Sequence, residues 1–151
     1  MNVKQILAIK GKGVITINPQ ETIEAAILKM EKHNIGSLLV LDENEQMVGI
    51  LTERHIVRQA PKVGKFLSKR VEELMEPNVI TGAPHDDLQS LMNIMTEKRI
   101  RHLPICEQGK LYGIVSIGDV LKTQRDLYQG QAVTLETQLM TAEWASSAFQ
   151  K

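Results

Sequence analysis

Apolar residues recur along the chain in two rhythms, and each predicts an element. Val14-Ile15-Thr16-Ile17 is a short β-branched run closed by Pro19, which predicts a strand. Ile23, Ala26, Ile27 and Met30 then fall at helical spacing behind Thr22, a residue type that caps helix starts. Asn34 or Gly36 can close that helix. Ser37 to Leu41 and Met47 to Leu51 flank the turn-rich Asp42-Glu43-Asn44-Glu45 and read as a hairpin. Thr52 then opens a second helix carrying Ile56 and Val57.

The pattern occurs twice. Val79-Ile80-Thr81 to Pro84 repeats the opening, and Leu88, Leu91, Met92 and Met95 repeat the helix behind Asp87. Ile100, Leu103 and Ile105 answer Ile35, Leu38 and Val40, with Glu107-Gln108-Gly109-Lys110 as the turn. Gly113-Ile114-Val115-Ser116 answers Gly49-Ile50-Leu51-Thr52, which sets Asp119 against His55 and Arg101-His102 against Gly36-Ser37. A period of about 65 residues, used twice, does not suit a solenoid, which stacks three or more shorter units. It predicts an α+β fold of α/β-type repeats, each β-α-β-β-α, packed as a pseudo-twofold pair with clefts between the halves.

The expected divisions are a lead-in at 1–12, a first repeat at 13–60, a linker with a short helix (Val71 to Met75) at 61–77, a second repeat at 78–125, and a helical tail at 126–151. In the tail, Leu135, Leu139, Ala142 and Phe149 lie near helical spacing, but intrinsic helix strength is low and a partner surface is expected.

Composition narrows the function. Eighteen basic and eighteen acidic residues give no net charge, so no field draws the chain to nucleic acid or an acidic membrane. Two Phe, two Tyr and one Trp leave few stacking platforms for single strands. The lone Cys106 fits a reducing compartment, and neither a signal peptide nor a membrane span is apparent, so the cytoplasm is expected. Ser–His–Asp, paired-carboxylate and phosphate-loop patterns do not stand out, and no enzyme is expected. His102 and Cys106 alone do not make a zinc site.

The sharpest chemistry lies at Gly113-Ile114-Val115-Ser116-Ile117-Gly118-Asp119-Val120, a strand-to-helix junction. Ser116 and Asp119 form an S-x-x-D capping box. The same groups suit a ligand: free amides and a hydroxyl for phosphate, and a carboxylate one turn on for two vicinal hydroxyls. Both readings stand at this point.

The opening Val79-Ile80-Thr81 to Pro84, the strand Arg101-His102-Leu103-Pro104-Ile105 and the close Gly113-x-x-Ser116-x-x-Asp119 together resemble a CBS domain, and the tandem resembles a Bateman module. The resemblance spans Val14 to about Lys122. It implies a stand-alone regulatory sensor that binds AMP, ADP, ATP or NAD(H) between the repeats, with no catalytic cofactor, as a homodimer acting on an unidentified regulated protein. It further implies Asp119 for ribose, Ser116, Arg101 and His102 for phosphate, and Ile80 and Thr81 for adenine. The first copy departs from the pattern at His55, because a neutral imidazole offers one acceptor where a carboxylate takes both hydroxyls. The cleft assigned to Thr16, Thr52, Arg54, His55 and Arg58 is then empty, holds a different ligand, or takes the second half of a dinucleotide through Arg54 or Arg58. A second function class also survives: a ligand-independent dimerisation scaffold using the pair and its C-terminal helix.

Overall fold

A computed structural model describes residues 1–148 except Lys12 and Val63; Phe149 of the expected tail lies outside the described residues. The elements are α1 (Val3–Lys10), β1 (Thr16–Ile17), α2 (Ile23–His33), β2 (Ser37–Leu41), β3 (Met47–Thr52), α3 (Glu53–Gln59), a 3₁₀ turn at Phe66–Ser68, α4 (Val71–Leu74), α5 (Leu88–Lys98), β4 (His102–Glu107), β5 (Lys110–Ser116) and α6 (Ile117–Ala148). The α+β class and the paired repeats follow the sequence reading.

Local chemistry accounts for the element ends. Thr22 and Asp87 accept from the amides of Ala25 and Ser90, capping α2 and α5. Asn34 and Arg99 close the same helices in the left-handed region, at φ 50° and 53°. In the first half β2 pairs parallel with β1 and antiparallel with β3; in the second, β4 pairs with β5. Each hairpin carries a bulge, between Val40 and Leu41 and between Ile105 and Cys106.

The first strand of the second repeat shrinks to one bridge, Gly82 to Ile105. Glycine stands where the first copy has Ile17, and a Cβ there would come within 3.0 Å of Leu103 and 3.1 Å of Ile105. The residue that fits this close approach is also a poor strand former.

The lead-in is a helix that completes a core. Asn2 and Gln5 form a capping box at its start, and Val3 and Leu7 pack with Leu91, Met95, Leu103, Ile105, Val115 and Val120 of the second repeat. Reciprocally, Val71 and Leu74 of α4 pack with Ile23, Leu38, Val40 and Leu51 of the first. The backbone contacts correspond: Val3 and Lys4 donate to Asp86 and Pro84, while Val71 and Glu72 donate to Glu21 and Pro19. Leu7 presses on Gly113 as Met75 presses on Gly49. Each repeat therefore borrows its last core helix from the segment that precedes the other.

One helix, α6, runs through residue 125, where the second repeat is expected to pass into the tail. Pro61 lacks the amide needed to prolong α3, whereas its counterpart Arg125 lets α6 run through 32 residues. Beyond the body α6 exposes Tyr128, Leu135, Leu139, Met140 and Trp144, the last 82% exposed. No helix among the described residues is long and apolar enough to cross a membrane.

Leu7→Ala is expected to lower the unfolding free energy by about 2–4 kcal/mol, the usual cost of truncating a buried leucine. Lys4→Ala on the exposed side should stay within about 0.5 kcal/mol. Urea unfolding followed by circular dichroism checks both, and an unchanged Leu7→Ala midpoint would mean that α1 adds nothing to the core.

Candidate functional site

Each strand-to-helix junction is tied to the neighbouring strand of its own repeat. Glu53 donates its amide to the Gly36 carbonyl at 3.0 Å, and Ile117 donates to Arg101 at 2.9 Å. These matched bonds seat the start of α3 against the entry to β2, and the start of α6 against the entry to β4.

Between the halves lies a cavity of about 720 Å³, within the usual range for small-molecule sites. From the first repeat, Ile50, Thr52, Glu53, Arg54, His55 and Arg58 line it; from the second come Val79, Ile80, Arg99, Arg101, His102 and Pro104, with Glu76 and Asn78 from the approach to it. Four arginines face two glutamates, so an electroneutral chain carries a locally basic cleft.

The geometry regroups the residues selected from sequence. Ile80, Arg101 and His102, assigned with Asp119, line the cavity together with Thr52, Arg54, His55 and Arg58, assigned to the other cleft. Thr16 and Thr81 are not among its lining: Thr16 pairs with Leu39, and Thr81 is exposed. Asp119 and Ser116 also lie outside that lining, at the counterpart junction. The cause is the crossing of repeats, since the helix start of one faces the opening segment of the other.

Each junction carries a capping box, differently made. In the first, the Thr52 amide donates to His55 Nδ1 at 3.2 Å, and the His55 amide donates to Thr52 Oγ1 at 3.3 Å. This arrangement needs a neutral ring with a free Nδ1 lone pair. Burial lowers the His55 pKa, against an opposing pull from Glu76 and with help from Arg58 and Arg54. Burial also lowers His102, aided by Lys10 and Arg101 and opposed by Glu53 and Asp119.

In the second junction Asp119 Oδ2 accepts from the Ser116 amide at 2.8 Å, from Ser116 Oγ at 3.0 Å and from Lys10 Nζ at 2.7 Å. Burial pushes this carboxyl upward, but the bonds from Lys10 and Ser116 outweigh it and hold the pKa below the ordinary aspartate value. Lys10 also donates to the Ile114 carbonyl at 2.9 Å.

Sequence reading passed over Lys10, Glu53, Glu76 and Arg99. One signal was present: Val3-Lys4-Gln5-Ile6-Leu7 matches Val71-Glu72-Glu73-Leu74-Met75 in pattern, which extends the repeat upstream and brings Lys10 beside a cleft.

The CBS domain profile matches residues 3–62 and 71–126. The chain is 33% identical to the CBS domain-containing protein YhcV of Bacillus subtilis over 111 residues, 74% of this chain and 79% of that protein. It is similar to the crystal structure of the CBS-domain containing protein ATU1752 from Agrobacterium tumefaciens, with TM-score 0.78 and 38% identity over 82% of this chain and 92% of that one. The CBS domain pair of protein MJ0100, solved with 5′-methylthioadenosine and S-adenosyl-L-methionine, matches with TM-score 0.73 and 29% identity over 87% and 98% of the two chains.

The two lowered histidines set a pH dependence. Their folded values lie below the ordinary 6.5, so just below that pH the unfolded chain binds more protons and stability rises with pH. Their contribution is complete above about pH 6.5 and is lost as pH falls through the folded values. Urea midpoints should drop on the acid side of about pH 6.5, less so in His55→Asn, whose amide oxygen can still accept from Thr52. A flat midpoint from about pH 8 to 5 would contradict this.

Proposed function

This chain belongs to the CBS-domain family, and on that basis we propose that it is a regulatory module binding an adenine nucleotide, or a related adenosyl ligand such as NAD(H), in the open cleft between its repeats. The observation that carries the reading is the convergence of Arg54, Arg58 and Arg101 with the apolar Ile80 in one cavity of nucleotide size. Phosphate meets the arginines, whose planar forks suit phosphate oxygens. The base lies against Val79 and Ile80. His102 adds a donor, and phosphate beside it favours its protonated form. The ligands of MJ0100, both adenosyl compounds, support this class of ligand. Occupancy is transmitted because one bound molecule touches both repeats and so favours one of their relative arrangements.

The exposed apolar residues of α6 favour a second reading, in which the pair is a homodimeric scaffold whose tail mates with a second copy. A nucleotide-binding homodimer satisfies both.

Calorimetric titration with AMP, ATP, NADH and S-adenosylmethionine tests the first. At least one should bind, and Arg101→Ala should weaken it about tenfold or more, since a charge-assisted bond is worth about 1.5–3 kcal/mol. Added salt should weaken it too. Binding indifferent to Arg101 would remove the phosphate assignment, and no binding by any compound would leave the scaffold.

A further inference from the structure

The two strand-to-helix junctions share one plan but differ in one occupant. At the open cleft, the backbone beyond α4 runs extended from Met75, and the Glu76 amide donates to the Ile50 carbonyl at 2.9 Å. The counterpart carbonyl, on Ile114, receives Lys10 Nζ instead, at the same 2.9 Å. The difference begins in helix length. After the matching Val-x-x-Leu-Met and Val-x-x-Ile-Leu turns, the α4 segment meets Pro77 and straightens, while α1 continues to Lys10 and stops at Gly11 with φ 93°. That extra turn carries the ammonium into the position beside Asp119.

We propose that Lys10 is a built-in plug of the Asp119 cleft: its ammonium occupies the place of a ligand's hydroxyls, and the chain takes a ribonucleotide there only when Lys10 is displaced. The proposal deepens the nucleotide reading above and rests on it for the class of ligand. Asp119 Oδ2 already receives three donors, two from Ser116 and one from Lys10, which leaves Oδ1 alone to accept, so a ribose cis-diol cannot engage both carboxylate oxygens while Lys10 stays. Two of the three ammonium protons are committed as well, to Asp119 and Ile114, so Lys10 is held rather than waiting for phosphate. In sequence register Ser116, Asp119 and Lys122 stand where Thr52, His55 and Arg58 line the open cleft. Removing the plug therefore frees a carboxylate suited to a cis-diol beside the Ser116 hydroxyl.

The test is the number of AMP or ATP molecules bound per chain in the native protein and in Lys10→Met, which keeps the apolar stem. The expected result is one event in the native protein and two in the variant, the added event at least about tenfold tighter than any second binding in the native chain. Lys4→Met, on the same helix but facing solvent, should leave the native count unchanged, and Lys10→Met/Asp119→Ala should lose the added event. No event in the native protein with one in Lys10→Met would support the plug and sink the open-cleft reading. One event in both would overturn the plug and leave that reading intact. No event in either would overturn both. A gain that also appears in Lys4→Met, or that survives Asp119→Ala, would overturn the plug as well.

Discussion

The structure depends on an exchange. Neither repeat closes its own core: Val3 and Leu7, which precede the first, fill the second, and Val71 and Leu74, which precede the second, fill the first. The main-chain bonds from Val3 and Lys4, and from Val71 and Glu72, fix both crossings at the same places. Burying one leucine-sized side chain contributes about 1.5–3 kcal/mol, a large share of the stability of a domain of this size. The halves are thus held together by core packing, and the cavity between them is walled by residues of both.

The same exchange decides which residues meet. A helix start in one repeat confronts the opening segment of the other, so the open cleft combines Thr52, Arg54 and His55 with Ile80, Arg101 and His102. Within that common frame, small local differences make the clefts unlike. Pro77 ends one leading segment early, and Gly11 ends the other a turn later. His55 caps its helix as a neutral acceptor, where Asp119 caps as an anion and so attracts a lysine. The basic character gathers on the open side, with Arg54, Arg58, Arg99 and Arg101.

Pro61 and Arg125 show how one position redirects a whole segment. Proline turns the chain back toward α4, which must return to the first repeat's core, while arginine lets α6 leave the body. The apolar residues along that projecting helix have no partner within the described residues of this chain.

Much of this was legible in the sequence because its signals are local. Thr22, Asp87, Thr52 and Ser116 cap helices, Asn34 closes one, and the hairpins at 37–52 and 102–116 follow from apolar runs broken by turn residues. The duplication itself determined that two similar halves would pair. Only the tertiary structure decided the composition of each cleft. Ile80 lines a cavity whose lining does not include Asp119, a separation set by the crossing of repeats, a long-range arrangement that periodicity cannot encode. The contact of Lys10 with Asp119 joins residues 109 apart in the chain and depends on the length of α1 and the seat of Leu7 on Gly113. Caps and hairpins are set by neighbours a few residues away, whereas an ion pair across the fold exists only once both cores are packed.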